Sequence, residues 1–309
     1  MLLAKWTKGR ADRRALIALV LGAVAIGFAP ILVRLSEVGP TATAFWRVAL
    51  AAPVFFLLLR RQDLSKGPHR KPTGWIDHKY LILGGVLFAL DLTFWHWSLQ
   101  FTTVANATLL SNLTPIVVAA GSVVLFREKL GGLFYMGLGL AVAGASMLSG
   151  ASFGAGGERL LGDGLAVVTA FFYGSYLLSI GRLRGHYSTV TVMAWTGLVA
   201  AIALIPITGL SGESFFPETA RGWLVLIALA GVAQVLGQAL IAYAFAHLPA
   251  AFGAVALTVQ PIVASAAAWY LFGEVLGGLE FMGAATILTG IVIARSGSLK
   301  KPESETTAS

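Results

Sequence analysis

Apolar residues in this chain come in long, nearly unbroken runs separated by short polar or Gly-containing breaks. They do not alternate with polar residues at the period of a soluble helix or strand. Ten runs stand out: 15–35, 41–60, 80–100, 103–126, 130–149, 161–181, 190–208, 222–243, 249–272 and 276–295. A helix needs roughly 20 apolar residues to cross a bilayer, so the pattern predicts an all-α integral membrane fold of ten transmembrane helices. The joins at Gly131–Gly132 and Gly277–Gly278 are so short that neighbouring helices must pack as antiparallel hairpins. The stretch Gly297–Ser309 is polar and reads as a disordered tail.

Composition agrees. Of 309 residues, 57% are hydrophobic and 12% charged. Soluble domains carry about 25% charged residues, so a soluble fold of this composition could not cover its surface. The 36 glycines suit close helix packing in lipid. No cysteine is present, which excludes a disulfide framework, a Cys-zinc site, an iron–sulfur cluster and a thiol nucleophile. A net charge of +8 raises nucleic acid as a partner. The basic residues sit in short segments between apolar runs, however, as they do in cytoplasmic loops of membrane proteins. The partners expected are therefore a lipid bilayer and a small-molecule substrate, not nucleic acid. Lys5, Lys8, Arg10, Arg13 and Arg14 precede the first run as in a signal sequence, and Ala23–Ala25 offers an Ala-x-Ala. That run continues to Val33, too long for a signal-peptide core, so it is read as an uncleaved first helix.

The same charges orient the chain. The N-terminal arm, the second-to-third connection (Arg60, Arg61, Lys66, Arg70, Lys71, Lys79), Arg127 and Lys129, Arg182 and Arg184, and Arg295, Lys300 and Lys301 fall on alternate connections, hence on one side. The opposite loops hold only Arg159 and Arg221. The positive-inside rule places both termini in the cytoplasm; the expected location is a bacterial inner membrane.

An internal repeat carries more information. Asn112-Leu-Thr-Pro115-Ile-Val-Val corresponds to Thr258-Val-Gln-Pro261-Ile-Val-Ala, 146 residues on. At that offset Phe126 matches Phe272, Glu128 matches Glu274, Leu130–Leu133 matches Leu276–Leu279, Met136-Gly137 matches Met282-Gly283 and Gly144 matches Gly290. The basic Phe126-Arg-Glu-Lys129 loop loses both cations in Phe272-Gly-Glu-Val275. Five spans per half and this charge loss both require opposite orientation, a mark of secondary transporters. The expected organisation is a cytoplasmic arm (1–14), a first five-helix repeat (15–149), a periplasmic linker (150–160), an inverted second repeat (161–295) and a disordered cytoplasmic tail (296–309).

Phe45-Trp-Arg47, Leu113-Thr-Pro115, Phe126-Arg-Glu128, Val259-Gln-Pro261 and Phe272-Gly-Glu274 together resemble the drug/metabolite transporter (DMT) superfamily in its ten-helix EamA-type branch, over roughly residues 12–295. Within it the chain looks most like amino-acid exporters of the aromatic (YddG) type. The resemblance implies export of small metabolites from the cytoplasm through a central cavity by alternating access, without cofactor.

Polar groups at mid-membrane are costly and therefore mark candidate sites. Asp91 is the deepest acid, a candidate for a substrate ammonium or a proton; the structural alternative is a hydrogen-bonded Asp between helices. Trp95 lies one turn on and His96 follows, with a cavity wall weighed against an interfacial aromatic and a satisfied histidine. Asn112 precedes Pro115 and Gln260 precedes Pro261, and both prolines are expected to kink their helices as candidate gates. Gln234 and Gln238, and Tyr173 with Tyr176, complete the candidates for the substrate cavity. Arg47 is read as a residue that snorkels from the outer end of its helix. Glu128 and Glu274 are read as loop or gate anchors. Gly162-Asp163-Gly164 is read as a helix cap. No P-loop, His-Glu-x-x-His or Gly-x-Ser-x-Gly occurs, so ATP-driven transport, zinc hydrolysis and serine hydrolysis find no motif; no metal site or enzyme activity is expected. The functional expectation is export of neutral or zwitterionic metabolites, chiefly aromatic and other neutral amino acids. Efflux of drugs or cationic solutes is the alternative and an intramembrane enzyme acting on lipid-linked substrates a remote one. Glycines 137, 139 and 144 are assigned to packing within a monomer.

Overall fold

The computed structural model describes residues 2–64, 72, 74–126, 131–153, 156–181, 183, 187–241 and 250–298. Among these, all regular structure is helical. The helices are α1 (Leu2–Gly27), α2 (Ala29–Arg34), α3 (Pro40–Leu64), α4 (Trp75–Phe101), α5 (Val104–Ser111), α6 (Thr114–Phe126), α7 (Gly132–Phe153), α8 (Gly157–Gly181), α9 (Thr189–Ser211), α10 (Ala220–Ala228), a π-helical stretch α11 (Leu229–Gly237), α12 (Ala250–Phe272) and α13 (Gly278–Ser298). Six helical stretches among the described residues are long and apolar enough to span a bilayer, and four more are apolar but shorter. Arg127–Leu130, Arg182, Arg184, His247 and the tail beyond Ser298 lie outside the described residues, and with them Glu128 and most of the topogenic loop charges.

Three of the ten runs are not single regular helices. The first run breaks at Phe28, where Pro30 supplies no backbone donor at the start of α2. The fourth breaks at Asn112–Leu113. In lipid, freed backbone groups need protein partners, and the sequence provides them: Leu113 N donates to Leu110 O at 3.1 Å, Asn112 Nδ2 to Thr108 O at 2.7 Å, and Thr114 Oγ1 to Ser111 O at 2.8 Å. That last acceptor is the carbonyl a continuous helix would have matched with the N–H that Pro115 lacks. Pro115 therefore sits in the first turn of α6, after a complete break, and the expected mid-helix kink is corrected accordingly. Its repeat counterpart Pro261 lies inside the continuous helix α12. The eighth run passes from α-helical to π-helical geometry at Leu229.

Close backbone approaches lock the bundle. The tightest joins α7 to α13. A Cβ added at Gly137 would lie 2.2 Å from Ala294 N and 2.5 Å from Gly290 O; one at Gly144 would lie 2.6 Å from Gly283 O. The reverse holds for Gly290 against Gly137 O (2.7 Å) and Gly283 against Gly144 O (2.9 Å). The numbers run oppositely along the two helices, so α7 and α13 are antiparallel. Gly283 is the counterpart of Gly137 at the 146-residue offset, and Gly290 that of Gly144. Gly137 thus faces the equivalent of Gly144, and Gly144 the equivalent of Gly137, the reciprocal pairing of a local two-fold, perpendicular to the helices because it reverses their direction. Gly139 meets nothing within 4 Å and takes no part in this packing, which corrects one of the three glycines assigned to it. Gly22 against Gly237 and Ile241, and Gly85 against Val199, make similar crossings of α1 with α11 and α4 with α9.

Candidate solute site

The most unusual side chain is Arg47. It lies seven residues into α3, roughly 10 Å along the axis from Pro40 at 1.5 Å per residue, and is only 5% exposed. It does not snorkel. Its Nε donates to Gln234 Oε1 at 3.0 Å, and its guanidinium lies 5.6 Å from the Trp95 ring centroid. Asp91 (7% exposed), His96 (fully buried) and Tyr173 are all within electrostatic range of it. Helix geometry explains the grouping: Asp91 and Trp95 are four apart on one face of α4, and the π-helical α11 carries Gln234 across from the second repeat. Such π segments occur frequently at functional sites.

Hydrogen-bond capacity is largely unspent here. Among the described residues, Arg47 makes one hydrogen bond from five available donors, and Asp91 makes none. His96 Nδ1 lies 3.0 Å from Pro40 O, a carbonyl, so Nδ1 carries the proton. In the neutral ring Nε2 is then a bare acceptor, and it is buried with no partner. Tyr173 stacks with Tyr176 at 5.8 Å, and Tyr176 with Phe88 at 5.0 Å, giving an aromatic wall.

Of the residues singled out from sequence, Asp91, Trp95, His96, Gln234 and Tyr173 therefore gather around Arg47. Asn112 spends its side chain on the α5 terminus, and Gln260 lies where α12 packs on Gly27. Gln238 caps the π segment. Among the described residues these three make their contacts away from the cluster. Arg47 itself was misjudged from sequence, although its position well inside an apolar run was the signal.

The end of the bundle where α4 stops and α5 begins is closed by polar ties. Arg34 Nε donates to Leu99 O at 2.8 Å and its Nη1 to Glu274 Oε1 at 2.5 Å; Nη2 binds Thr102 O. Glu274 Oε2 accepts from Val104 N at 2.9 Å. Asp163, seven residues inside α8, is no helix cap. It accepts from Thr102 Oγ1 (2.5 Å) and Asn106 Nδ2 (3.1 Å). Arg159 pairs with Glu280 nearby. An open cleft of about 390 Å³ lies over these groups, lined by Arg34, Gln100, Thr102, Arg159 and Glu274 among others. At the same end Glu37, in the exposed turn between α2 and α3, accepts from Thr219 Oγ1 and N. The Thr219 side-chain hydrogen bond, the largest cause, holds the Glu37 carboxyl below its ordinary range. Trp46 Nε1 donates to Phe215 O at 2.7 Å within a ring cluster of Phe45, Phe215, Phe216 and Trp223.

A multi-pass helical bundle with antiparallel equivalent helices and a buried polar centre is the architecture of a membrane transporter. The chain belongs to the EamA-like transporter family, whose model matches residues 13–150 and again 160–296. It is 24% identical to the pseudopaline exporter CntI of Pseudomonas aeruginosa over 80% of this chain and 83% of that one. It is 28% identical to an uncharacterized transporter of Archaeoglobus fulgidus (90% and 95% covered) and 26% identical to a riboflavin transporter of Vibrio cholerae (86% of each). A solved crystal structure aligns over 95% of this chain and 100% of its own at a TM-score of 0.62 and 17% identity, a likeness of fold.

Proposed function

We propose that this protein is a secondary transporter of the bacterial inner membrane, with both termini cytoplasmic, that exports small neutral or zwitterionic metabolites, amino acids foremost, by alternating access. The observation that carries the reading is the buried centre formed by Arg47 and Asp91, side chains of opposite formal charge, with Gln234 reaching it from the second repeat. Coupling between halves is what a rocking mechanism needs, and the antiparallel α7–α13 crossing supplies a matching two-fold.

Burying a charge without a partner costs several kcal/mol. A solute of zero net charge leaves the centre neutral. A lone organic cation would pair with Asp91 but leave Arg47 uncompensated, which weighs against efflux of cationic drugs. The exporter CntI and the riboflavin transporter are similar to this chain at too low an identity to carry a substrate across. Purified protein in liposomes, loaded inside with labelled phenylalanine, leucine or alanine, should show counterflow against external unlabelled solute. Movement of ethidium-type cations with no movement of any amino acid would sink the reading and favour the drug-efflux alternative.

A further inference from the structure

We propose that Arg47 and Asp91 form a two-ended receptor in which Arg47 takes a substrate carboxylate and Asp91 an ammonium, so that the solute must carry both groups free. The inference rests on the proposed transport reading and names which end of the solute each residue holds.

Three observations support it. The first is unused capacity at the Arg47 Nη and Asp91 Oδ atoms, beside the fully buried and unpartnered His96 Nε2. Arg47 is 5% and Asp91 7% exposed; among the described residues one guanidinium donor is occupied, by Gln234, and neither Asp91 oxygen accepts a hydrogen bond. Buried polar groups are normally hydrogen-bonded, and donors and acceptors left open here can take up groups that a solute brings. A planar guanidinium with its Nη edge unbonded matches a carboxylate bidentately.

The second is rigidity. Gln234 fixes Nε, and Trp95 lies against the guanidinium at 5.6 Å, so the cation is held in place before the solute binds. Little ordering entropy then remains to oppose binding.

The third is the local charge balance. Among the described residues, the charged side chains facing this point are Arg47 of α3 and Asp91 of α4. His96, fixed as a donor to Pro40 O, presents only a bare Nε2, an acceptor that suits a substrate N–H. A carboxylate without an ammonium would leave Asp91 facing a second anion. An amine without a carboxylate would leave Arg47 with a second cation. An α-amino acid satisfies both ends, and its side chain meets the Trp95 and Tyr173 rings.

Counterflow in proteoliposomes tests this with four analogues of one solute: phenylalanine, phenylalaninamide, phenethylamine and 3-phenylpropionate. Wild-type protein should prefer phenylalanine by roughly ten- to a hundredfold over each, the range that loss of a charge-assisted hydrogen bond produces. Arg47→Gln alone strands Asp91 and endangers folding, so the deciding variant is the double substitution Arg47→Gln with Asp91→Asn, which keeps the centre neutral. It should fold, by size-exclusion profile and melting, and still move phenylalanine weakly, with the preference over the amide falling to near unity. Wild-type protein that carries phenylalaninamide as well as phenylalanine would overturn the receptor and leave the transport reading standing. A double variant that keeps the full preference would do the same. No transport of any amino acid would instead remove the reading on which the receptor rests.

Discussion

A single methyl group at Gly137 tests the repeat axis directly. In Gly137→Ala the new Cβ would lie 2.2 Å from Ala294 N, a backbone atom that cannot swing aside as a side chain would. Ordinary contact begins at 3.4 Å, so α7 and α13 must part by 1.2 Å at this point or shift along each other. Overpacking of this kind costs about 1–3 kcal/mol, and in lipid little hydrophobic gain offsets the lost packing, since tails are as apolar as the side chains. Gly290→Ala, on the facing helix, should cost a similar amount. The double variant should cost less than the two added together by about 0.5 kcal/mol or more, because one opening accommodates both methyls. Gly139→Ala supplies the control. It lies on the same helix but meets open space, so it should be neutral or gain up to about 1 kcal/mol from the better helix propensity of alanine. Equilibrium unfolding by SDS titration in mixed micelles would measure all four. If Gly139→Ala proved as damaging as Gly137→Ala, the loss would reflect glycine content and not the crossing, and the two-fold argued from it would fall.

Other expectations concern the polar ties. Glu274→Gln should keep the hydrogen bond to Val104 N while losing the ion pair with Arg34; Glu274→Ala loses both and should be the more destabilising, by about 1–3 kcal/mol in total, as read by the same titration. Asn112→Ala should cost about 1 kcal/mol by exposing the α5 terminus and leave solute preference unchanged, since its amide is spent on Thr108 O; a changed substrate profile would return Asn112 to the site. Glu37 titrates below its unfolded value, so its tie to Thr219 contributes above the unfolded pKa and is lost as pH falls through the folded one. Acidification should therefore lower hydrogen-exchange protection factors in the turn around 35–39, and Thr219→Ala, which leaves only the backbone donor, should weaken that pH dependence.

Much of the architecture was legible because the membrane restricts the choices. Runs of apolar residues near 20 long can only be helices where no water satisfies the backbone, and Pro, Glu and Gly-Gly shared in one register declared the repeat. The pairing of Gly137 with Gly290 and of Gly144 with Gly283 agrees with that register, since a two-fold axis makes each contact between the repeats reciprocal. Period and spacing also placed Asp91 and Trp95 on one face.

Three-dimensional packing decided the rest. Arg47 reads as a surface cation in sequence, because a residue near a helix end can reach water; burial behind α4 and α11 makes it the centre of the site. Asp163 reads as a cap beside two glycines, yet α8 begins a turn and a half earlier and turns the carboxylate onto Thr102 and Asn106. Pro115 and Pro261 are identical in local sequence logic, but Asn112, Thr108 and Thr114 supply the bonds that let the first helix break outright while the second continues. The sequence by itself determined that the chain enters lipid as helices and that it is built twice. Which polar groups meet depends on how helices far apart in the chain are rotated and stacked, and that rotation is set by close glycine contacts that no single run contains.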